Sequence, residues 1–368
     1  MGIVDHKLNE KIQEFEEELR KTKYNKRTQA AVGLLKAKIA RLKGEKSSKA
    51  SKKVHAQGWT IRKSGDATAV LVGFPSVGKS TLINKITNAE SQIGHYEFTT
   101  LDVIPGSLEY ENVKIQIFDV PGLVEGASKG RGRGREVLGA VGVADLVILL
   151  IDATKPQQLE AIQNELYEAR IRINQKRPDV RITKKGTGGI NISSVKLTKT
   201  NKQIITNVLR ELKFNNADVI IREDIDVDEL IDVIDDNRKY LNGLIVINKI
   251  DLISKEKLEE IKKKIKPDVL ISAEKSIGLE ELKKKIFDKL DLVRIYCKEI
   301  SKPADLGVPM VLKGEATLKD ACLKLHKEFI TKFKFARIWG KSVKFDGQKI
   351  LNLKHQLKDG DIVEFHLN

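Results

Sequence analysis

The eight residues GFPSVGKS, at positions 73–80, have the types and the spacing to hold a chain of phosphates. They fit the pattern G-x-x-x-x-G-K-[ST], in which glycines let the backbone approach an anion and successive N–H groups point at it. Lys79 can offer a positive charge to the β- and γ-phosphates, and Ser80 can offer a hydroxyl to Mg²⁺. The other residues expected to contact a nucleotide through this loop are Gly73, Phe74, Pro75, Ser76, Val77, Gly78 and Thr81.

Two further motifs suit the γ-phosphate end of such a nucleotide. Thr100, in the segment YEFTT, can complete the Mg²⁺ shell and respond to the γ-phosphate. Asp119 opens the motif D-x-x-G and can hold Mg²⁺ through a water, while the N–H of Gly122 can contact the γ-phosphate. Lys79, Thr100 and Gly122 are therefore the predicted catalytic residues, and Ser80, Thr100 and Asp119 the predicted metal ligands.

The motif NKID, at positions 248–251, points to guanine as the base. The Asp251 carboxylate can accept both N1–H and the exocyclic amine of guanine, a pair of donors that adenine lacks. Asn248 is expected to connect the loops of the site, and the Lys249 stem to cover the face of the base.

A last motif, SAE, follows the apolar run 269–271 and consists of Ser272, Ala273 and Glu274. The backbone N–H of Ala273 can reach guanine O6. The five motifs occur in order, each at the carboxyl end of a predicted strand or in the loop after it, where open α/β sheets bind their ligands. The sequence thus predicts a guanine-specific nucleotide hydrolase that changes conformation with its nucleotide.

One position departs from the usual pattern of such hydrolases. A glutamine that orients the attacking water follows D-x-x-G in Ras-like switches, whereas this chain has Leu123 there. Glu125, a bound K⁺ or a partner protein can take over that task, and the sequence does not choose among them. We expect a turnover well below about 1 s⁻¹ without a partner.

The remaining pattern predicts an α/β architecture that brings these motifs together. Apolar strand candidates alternate with helices, which indicates a doubly wound, mainly parallel sheet. The candidates are residues 70–72, 113–118, 146–151, 243–247 and 269–271. About 90 residues separate the third from the fourth, too many for a direct crossover, so an inserted α+β subdomain is expected at about 172–237.

The two ends of the chain predict additional domains. Residues 6–43 read as two antiparallel helices with a break near 22–25, followed by a polar linker or mobile loop at 44–53. After about residue 290, strands surround a helix opened by Thr317, as in a ubiquitin-like β-grasp. The predicted layout is a basic helical region at 1–65, a nucleotide-binding domain at 66–292 and a β-grasp domain at 293–368.

The charge predicts a polyanionic partner, either nucleic acid or an anionic membrane. The formal net charge is +16, and residues 1–63 hold 17 Lys or Arg against 7 Asp or Glu. The segment 170–202 holds ten basic residues and one acid. Two cysteines suit the reducing cytoplasm, and the lack of a long apolar stretch predicts no transmembrane helix. We expect the protein to be a monomer.

GFPSVGKSTL, YEFTTL, DVPGLVEGASKGRGRGREV and NKID together resemble the developmentally regulated GTP-binding proteins, in the Obg group of translation-factor-class GTPases. The resemblance covers essentially the whole chain, and its most specific part is residues 129–135. It implies binding of GTP, GDP and Mg²⁺, a C-terminal domain like the TGS module of threonyl-tRNA synthetase, and an association with ribosomes. Related GTPases that use K⁺ have an asparagine where this chain has Ser76, so the resemblance does not extend to a K⁺ requirement.

Three hypotheses follow from the sequence. The leading one is a GTPase switch that acts on ribosomes or RNA. A second keeps the nucleotide site but replaces RNA by a protein partner or a membrane surface. A third, an ATPase, is disfavoured by Asp251. The glycine- and arginine-rich stretch 126–135 is either a switch segment that touches a partner or a flexible solvated loop.

Overall fold

The computed structural model of the chain describes residues 2–23, 25, 27–51, 65–87, 104–119, 141–142 and 144–368. Its helices are α1 Gly2–Lys21, α2 Gln29–Ser51, α3 Lys79–Ile86, α4 Gln158–Glu168, α5 Lys202–Glu211, α6 Val227–Asp235, α7 Lys255–Ile265, α8 Leu279–Lys289, α9 Leu318–Leu325 and α10 Lys327–Thr331. Its strands are β1 Ala67–Val72, β2 Ile104–Tyr110, β3 Val113–Asp119, β4 Leu146–Asp152, β5 Ile171–Ile173, β6 Val180–Lys184, β7 Ile190–Ser194, β8 Ala217–Ile221, β9 Lys239–Asn248, β10 Val269–Leu270, β11 Leu292–Lys298, β12 Met310–Lys313, β13 Phe333–Trp339, β14 Gln348–Ile350 and β15 Asp361–Leu367. Two compact units result, 1–58 with 175–240 and 59–174 with 241–368.

The nucleotide-binding motifs lie on a seven-stranded sheet of order β10-β9-β4-β1-β3-β2, with β5 paired to β9. Strands β10, β9, β4, β1 and β3 run parallel, and β2 runs antiparallel to β3 at the edge. Every residue of β1 and β4 is buried, as expected for parallel strands covered on both faces. The predicted doubly wound, mainly parallel sheet is confirmed.

Two hydrophobic cores position this sheet between helices. Successive residues of β1 point to opposite faces, so that Leu71 packs with α3 and α8 while Val72 packs with α4. The carboxyl ends of β1, β3, β4, β9 and β10 consequently share one edge, and each predicted motif in the described residues lies there.

Strand β2 was not anticipated from the sequence, because Pro105 and Gly106 are both unfavourable in strands. At the edge of a sheet a proline is tolerated, because its nitrogen can face solvent and no hydrogen bond of the sheet is lost. A side chain at position 106 would approach the Thr87 side chain to 2.5 Å and that of Ile83 to 2.9 Å. Glycine therefore lets β2 lie close to the end of α3.

The unit formed by residues 1–58 and 175–240 combines the helical hairpin with the inserted α+β segment. Helices α1 and α2 are joined by an ion pair of 3.0 Å between Lys43 and Glu16. The inserted segment forms a three-stranded sheet of order β6-β8-β7, covered on one face by α5 and α6. Gly33 of α2 allows close packing, since a Cβ there would lie 3.3 Å from Ile204.

The linker predicted at 44–53 is wrong for residues 44–51, because α2 continues to Ser51. This stretch contains lysine, glutamate and alanine, which are good helix formers, and no proline interrupts it. Low complexity and polarity alone do not end a helix that has already formed.

The C-terminal domain is a five-stranded sheet of order β12-β11-β15-β13-β14, packed on one face against α9. Thr317 caps α9 in a capping box with Asp320, so the predicted helix start is confirmed. The helix that Thr317 opens ends at Leu325, because extended backbone at His326 separates α9 from α10. Among the described residues, no helix has the length and apolar character needed to span a membrane.

Candidate nucleotide-binding site

The phosphate loop joins β1 to α3 and is shaped by two glycines. A Cβ at Gly73 would lie 2.6 Å from the Leu150 carbonyl oxygen, and one at Gly78 would lie 2.5 Å from Asn248 Nδ2. Gly78 also has a φ of 95° and is the N-cap of α3, a conformation that favours glycine. The loop therefore needs glycine at both positions, and the N-terminus of α3 opens onto it, as anion sites require.

The other residues of the loop anchor its backbone. Val77 is buried in the core, and Phe74 packs against the cores on both faces of the sheet. Pro75 and Ser76 are exposed, and Ser76 has a φ of 63°. The side chains of Phe74 and Val77 thus anchor the loop to the core. The backbone N–H groups of the loop remain available to contact phosphates.

Lys79 lies across the loop that it serves. Its Nζ donates to the carbonyl oxygens of Gly73, at 3.1 Å, and Phe74, at 3.2 Å. Burial lowers the pKa of Lys79, and the nearby Asp119 carboxylate opposes this shift. A partly desolvated ammonium group held in this way gains more from an anionic ligand than one in water does.

Ser80 and Asp119 together fit a magnesium ion. Ser80 Oγ lies 3.3 Å from Asp119 Oδ2, and Asp119 Oδ1 is buried without a hydrogen-bond partner among the described residues. Burial raises the pKa of Asp119, against the effects of Lys79 and Ser80. A hydroxyl and a carboxylate oxygen are hard ligands of the kind Mg²⁺ takes, and an added cation would stabilise the charged carboxylate.

Asn248 connects the phosphate loop to the last predicted loop. Its side chain is 2 % exposed; Nδ2 donates to the Val77 carbonyl at 2.8 Å, and Oδ1 accepts from the Ala273 N–H at 3.0 Å. The Ala273 N–H, predicted to reach guanine O6, is thus already bonded to Asn248, so a contact with O6 would have to share this donor. Ser272 is fully buried beside it, whereas Glu274 is exposed.

Lys249 is held by a residue that the sequence analysis missed. Its Nζ donates to the Ser76 carbonyl at 2.7 Å and to Asp152 Oδ2 at 2.8 Å. Asp152 is 7 % exposed, and Thr154 donates to its Oδ1 through both N–H and hydroxyl. Burial alone would raise the pKa of Asp152, but the bonds from Lys249 and Thr154 lower it.

A sequence signal for Asp152 did exist. It directly follows the apolar run 146–151, and so occupies the same edge of the sheet as Asp119 and Asn248. A carboxylate at the carboxyl end of a buried strand in such a sheet is a candidate site residue. Here it orients Lys249 across the site.

Asp251 is kept ionised by its surroundings. A hydrogen bond with Ser272 lowers its pKa, burial opposes this, and Lys275 at 3.6 Å adds to the lowering. Its side chain is only 12 % exposed. An ionised, acceptor-only carboxylate in this position suits a base edge that presents two donors.

The described parts of the site border a cavity of about 500 Å³. Its lining consists of Ser76, Gly78, Lys79, Ser80, Thr81, Asp119 and Lys249. The structure thus brings the phosphate, metal and NKID motifs together. Thr100, Gly122, Leu123 and the stretch 126–135 lie outside the described residues, and their roles stay predictions.

Replacing Asn248 by Ala is expected to lower the free energy of unfolding by about 2–4 kcal/mol, because the Val77 carbonyl and the Ala273 N–H would both be left buried and unpaired. Chemical denaturation measures this. Asn242→Ala is a matched control on the same strand, since Asn242 is exposed and its side-chain amide donates to the Lys289 carbonyl. Equal stability of the two variants would contradict the bridging role of Asn248.

Comparison with known proteins gives matches along the whole chain. Three family profiles match in succession: "50S ribosome-binding GTPase" at residues 68–185, the C-terminal region of that domain at 187–292, and the TGS domain at 293–367. An uncharacterized GTP-binding protein of Methanocaldococcus jannaschii is 48% identical over 97% of this chain and 92% of its own length. GTP-binding protein 1 of Schizosaccharomyces pombe is 42% identical, and human developmentally-regulated GTP-binding protein 2 is 39% identical, each over 99% of both chains.

Proposed function

Since this chain belongs to the developmentally regulated GTP-binding proteins, a family of P-loop GTPases, we propose that it is a GTP-dependent switch acting on ribosomes in translation. The chain binds GTP and hydrolyses it to GDP and phosphate. The proposal concerns how its residues do so and where the switch acts.

The phosphates and the base would be held by different loops. Backbone N–H groups of residues 76–80 would surround the β-phosphate, with Lys79 beside the β- and γ-phosphates. Asp251 would accept the two guanine donors, and the Lys249 stem, fixed by Asp152 and the Ser76 carbonyl, would cover the base. The observation that supports this most directly is the pair of hydrogen bonds that the Asn248 side chain makes with Val77 and Ala273, which connects the phosphate loop to the base loop.

The metal expected here is Mg²⁺, which would neutralise charge on the phosphate oxygens. Ser80 would hold it directly and Asp119 through a water, and the unpartnered Asp119 Oδ1 provides the acceptor for that water. Thr100 is proposed to complete the shell, and the Gly122 N–H to follow the γ-phosphate. With Leu123 after Gly122, we propose that another group or a partner protein positions the attacking water.

A ribosomal target is supported by charge and by the family. The net charge of +16 exceeds what solubility needs in a protein of this size. The exposed side chains of Arg181 and Lys184 and the helical hairpin contribute to the basic regions. The matching profile describes its family as ribosome-binding GTPases. Phosphate contacts are the interaction that such a surface makes with ribosomal RNA, and the cytoplasm is the compartment that fits this task.

We expect the purified protein to sediment with ribosomes in a salt-dependent manner. If 6–10 phosphates are contacted, affinity should fall by about 10³- to 10⁵-fold between about 50 and 200 mM salt. Sedimentation across a salt series, with a GTP analogue and with GDP, measures both the slope and the preferred state.

Vesicles with anionic headgroups are the control for the second hypothesis, a switch at a membrane surface or on a protein partner. Binding to ribosomes that ignores salt, or binding to anionic vesicles alone, would reject the ribosomal role. The GTPase activity would stand in either case.

A further inference from the structure

The loop between β13 and β14 displays a phenyl ring to solvent. Phe345 is 65% exposed, although the loop that carries it is well tied down. Gly347 N–H donates to the Ile338 carbonyl at 2.9 Å, and Lys344 N–H donates to Gln348 Oε1 at 2.9 Å. The ring therefore stands on a structured loop, and its exposure needs a reason beyond local flexibility.

Basic residues surround this ring. Residues 337–349 contain four, all exposed: Arg337, Lys341, Lys344 and Lys349. The single acid in this segment, Asp346, accepts the Gly340 N–H through Oδ1 at 3.2 Å. Outside the segment, Glu364 pairs with Arg337 across the strands and Asp359 interacts with Lys341, so the positive charge is balanced only in part. An exposed aromatic ring beside an excess of positive charge matches a ligand that offers both flat apolar faces and negative charge.

The face of the sheet next to this loop also carries basic and aromatic side chains. Ala336 and Ile338 are buried in the core, so Arg337 and Trp339 lie on the opposite face of β13. Lys349 pairs with Arg337 across the strands, and pairing residues share a face. Trp339 is half-buried, and Lys298 Nζ lies 4.6 Å from its ring centre.

The loop and the indole are adjacent, because a Cβ on Gly347 would lie 3.3 Å from Trp339 Nε1. We name the set Arg337, Trp339, Lys341, Lys344, Phe345 and Lys349 the hairpin surface. It joins two aromatic side chains, of which Phe345 is largely exposed, to four cations on one β-hairpin.

We propose that the hairpin surface binds unpaired RNA, an inference that rests on the proposed ribosomal function and names the RNA that this domain takes. A base stacks on Phe345, and a neighbouring base lies against the exposed part of Trp339, beside Lys298, which Glu364 holds in an ion pair. The backbone phosphates pair with Lys341, Lys344, Arg337 and Lys349. Stacking on aromatic rings combined with basic side chains is how proteins hold single strands without reading sequence.

Other occupants fit these observations less well. The bases of a duplex are stacked on one another, so its base faces are not offered to Phe345. Membrane anchoring needs more buried apolar surface than one ring supplies. Leu351, two residues past Lys349, is another apolar side chain on this hairpin and is 68% exposed. Its replacement distinguishes stacking on a ring from burial of apolar surface in a membrane.

The test is fluorescence anisotropy of the full chain with a labelled oligouridine of about 12 nucleotides, which has little structure of its own. Phe345→Ala is expected to weaken binding about tenfold, and Phe345→Leu by a similar factor, since leucine is apolar but does not stack. Phe345→Trp should bind as well as the parent. Leu351→Ala is the matched control and should leave affinity unchanged. Both changed positions carry exposed side chains, and GTP hydrolysis should be unaltered in all four variants.

Unchanged affinity of Phe345→Ala for oligouridine would overturn the proposal that the hairpin surface binds RNA. Sedimentation with ribosomes would then show separately whether the ribosomal function holds. Equal loss in Phe345→Ala and Leu351→Ala, preference for a duplex of the same length, or binding to anionic vesicles alone would also overturn the proposal for this surface. If neither oligouridine nor ribosomes bind, both proposals fail.

Discussion

Asp251→Asn is expected to lower the affinity for GTP by at least about 100-fold, because a site built to pair with two donors loses much of its binding when one pairing is removed. The parent carboxylate is ionised and accepts only, as its lowered pKa through Ser272 requires. An amide in its place would turn an NH₂ group toward a guanine donor. Titration with a fluorescent GTP analogue measures the loss.

A nucleotide with a different base makes the test of Asp251 more specific. Xanthine carries a carbonyl where guanine carries the exocyclic amine, so the amide of Asp251→Asn can pair with it through both of its groups. We expect xanthosine triphosphate to bind this variant better than GTP does. Glu260→Gln, an exposed position on α7, controls for loss of a nearby negative charge. Wild-type affinity for GTP in Asp251→Asn would show that the base is read elsewhere.

Much of the fold follows from the sequence because buried parallel strands are nearly uninterrupted apolar runs. The runs at 70–72, 113–118 and 146–151 each became a strand of the central sheet. What the pattern does not reveal is structure fixed by tertiary contacts. Strand β2 contains Pro105 and Gly106 and forms because an edge position tolerates both, with Gly106 admitting the end of α3.

The same reasoning explains the success at Asn248 and the omission of Asp152. A motif such as NKID names its residues in advance, and the two hydrogen bonds of Asn248 are what its position demands. Asp152 acts through Lys249, a residue 97 positions away. The two residues meet because β4 lies between β1 and β9 in the sheet. The spacing of motifs along the chain does not reveal this strand order.

Charge patterns gave less than motifs did. The polar stretch after residue 43 looked like a linker, yet helix α2 runs through residues 44–51. The ring of Phe345 could not be judged from sequence either, because exposure depends on how β13 and β14 leave their connecting loop outside the core. Composition predicts a class of partner, whereas the fold decides which basic residues lie together.

Lys79→Ala is expected to reduce the turnover of GTP by about 100- to 1,000-fold, the range found when a single group that stabilises transition-state charge is removed. The Lys79 ammonium already lies within 3.1 Å of the Gly73 carbonyl and 3.2 Å of that of Phe74, so it is placed over the loop before phosphate arrives. Burial lowers its pKa because the ammonium is removed in part from water. Charge developing on the phosphates during hydrolysis is therefore matched by a cation that has little solvation to lose.

Two variants make this result specific to the position of the charge. Lys85→Ala removes an exposed lysine from the last turn of the same helix and should retain full turnover. Lys79→Arg keeps the charge but replaces a compact ammonium by a longer planar group, and it should recover only part of the activity, since the two carbonyls that Lys79 contacts are met by a single nitrogen. Single-turnover hydrolysis, with GTP bound to saturation, separates this loss from weaker binding. Wild-type turnover in saturated Lys79→Ala would remove Lys79 from the catalytic step and leave the backbone N–H groups and Mg²⁺ to stabilise the transferred phosphoryl group.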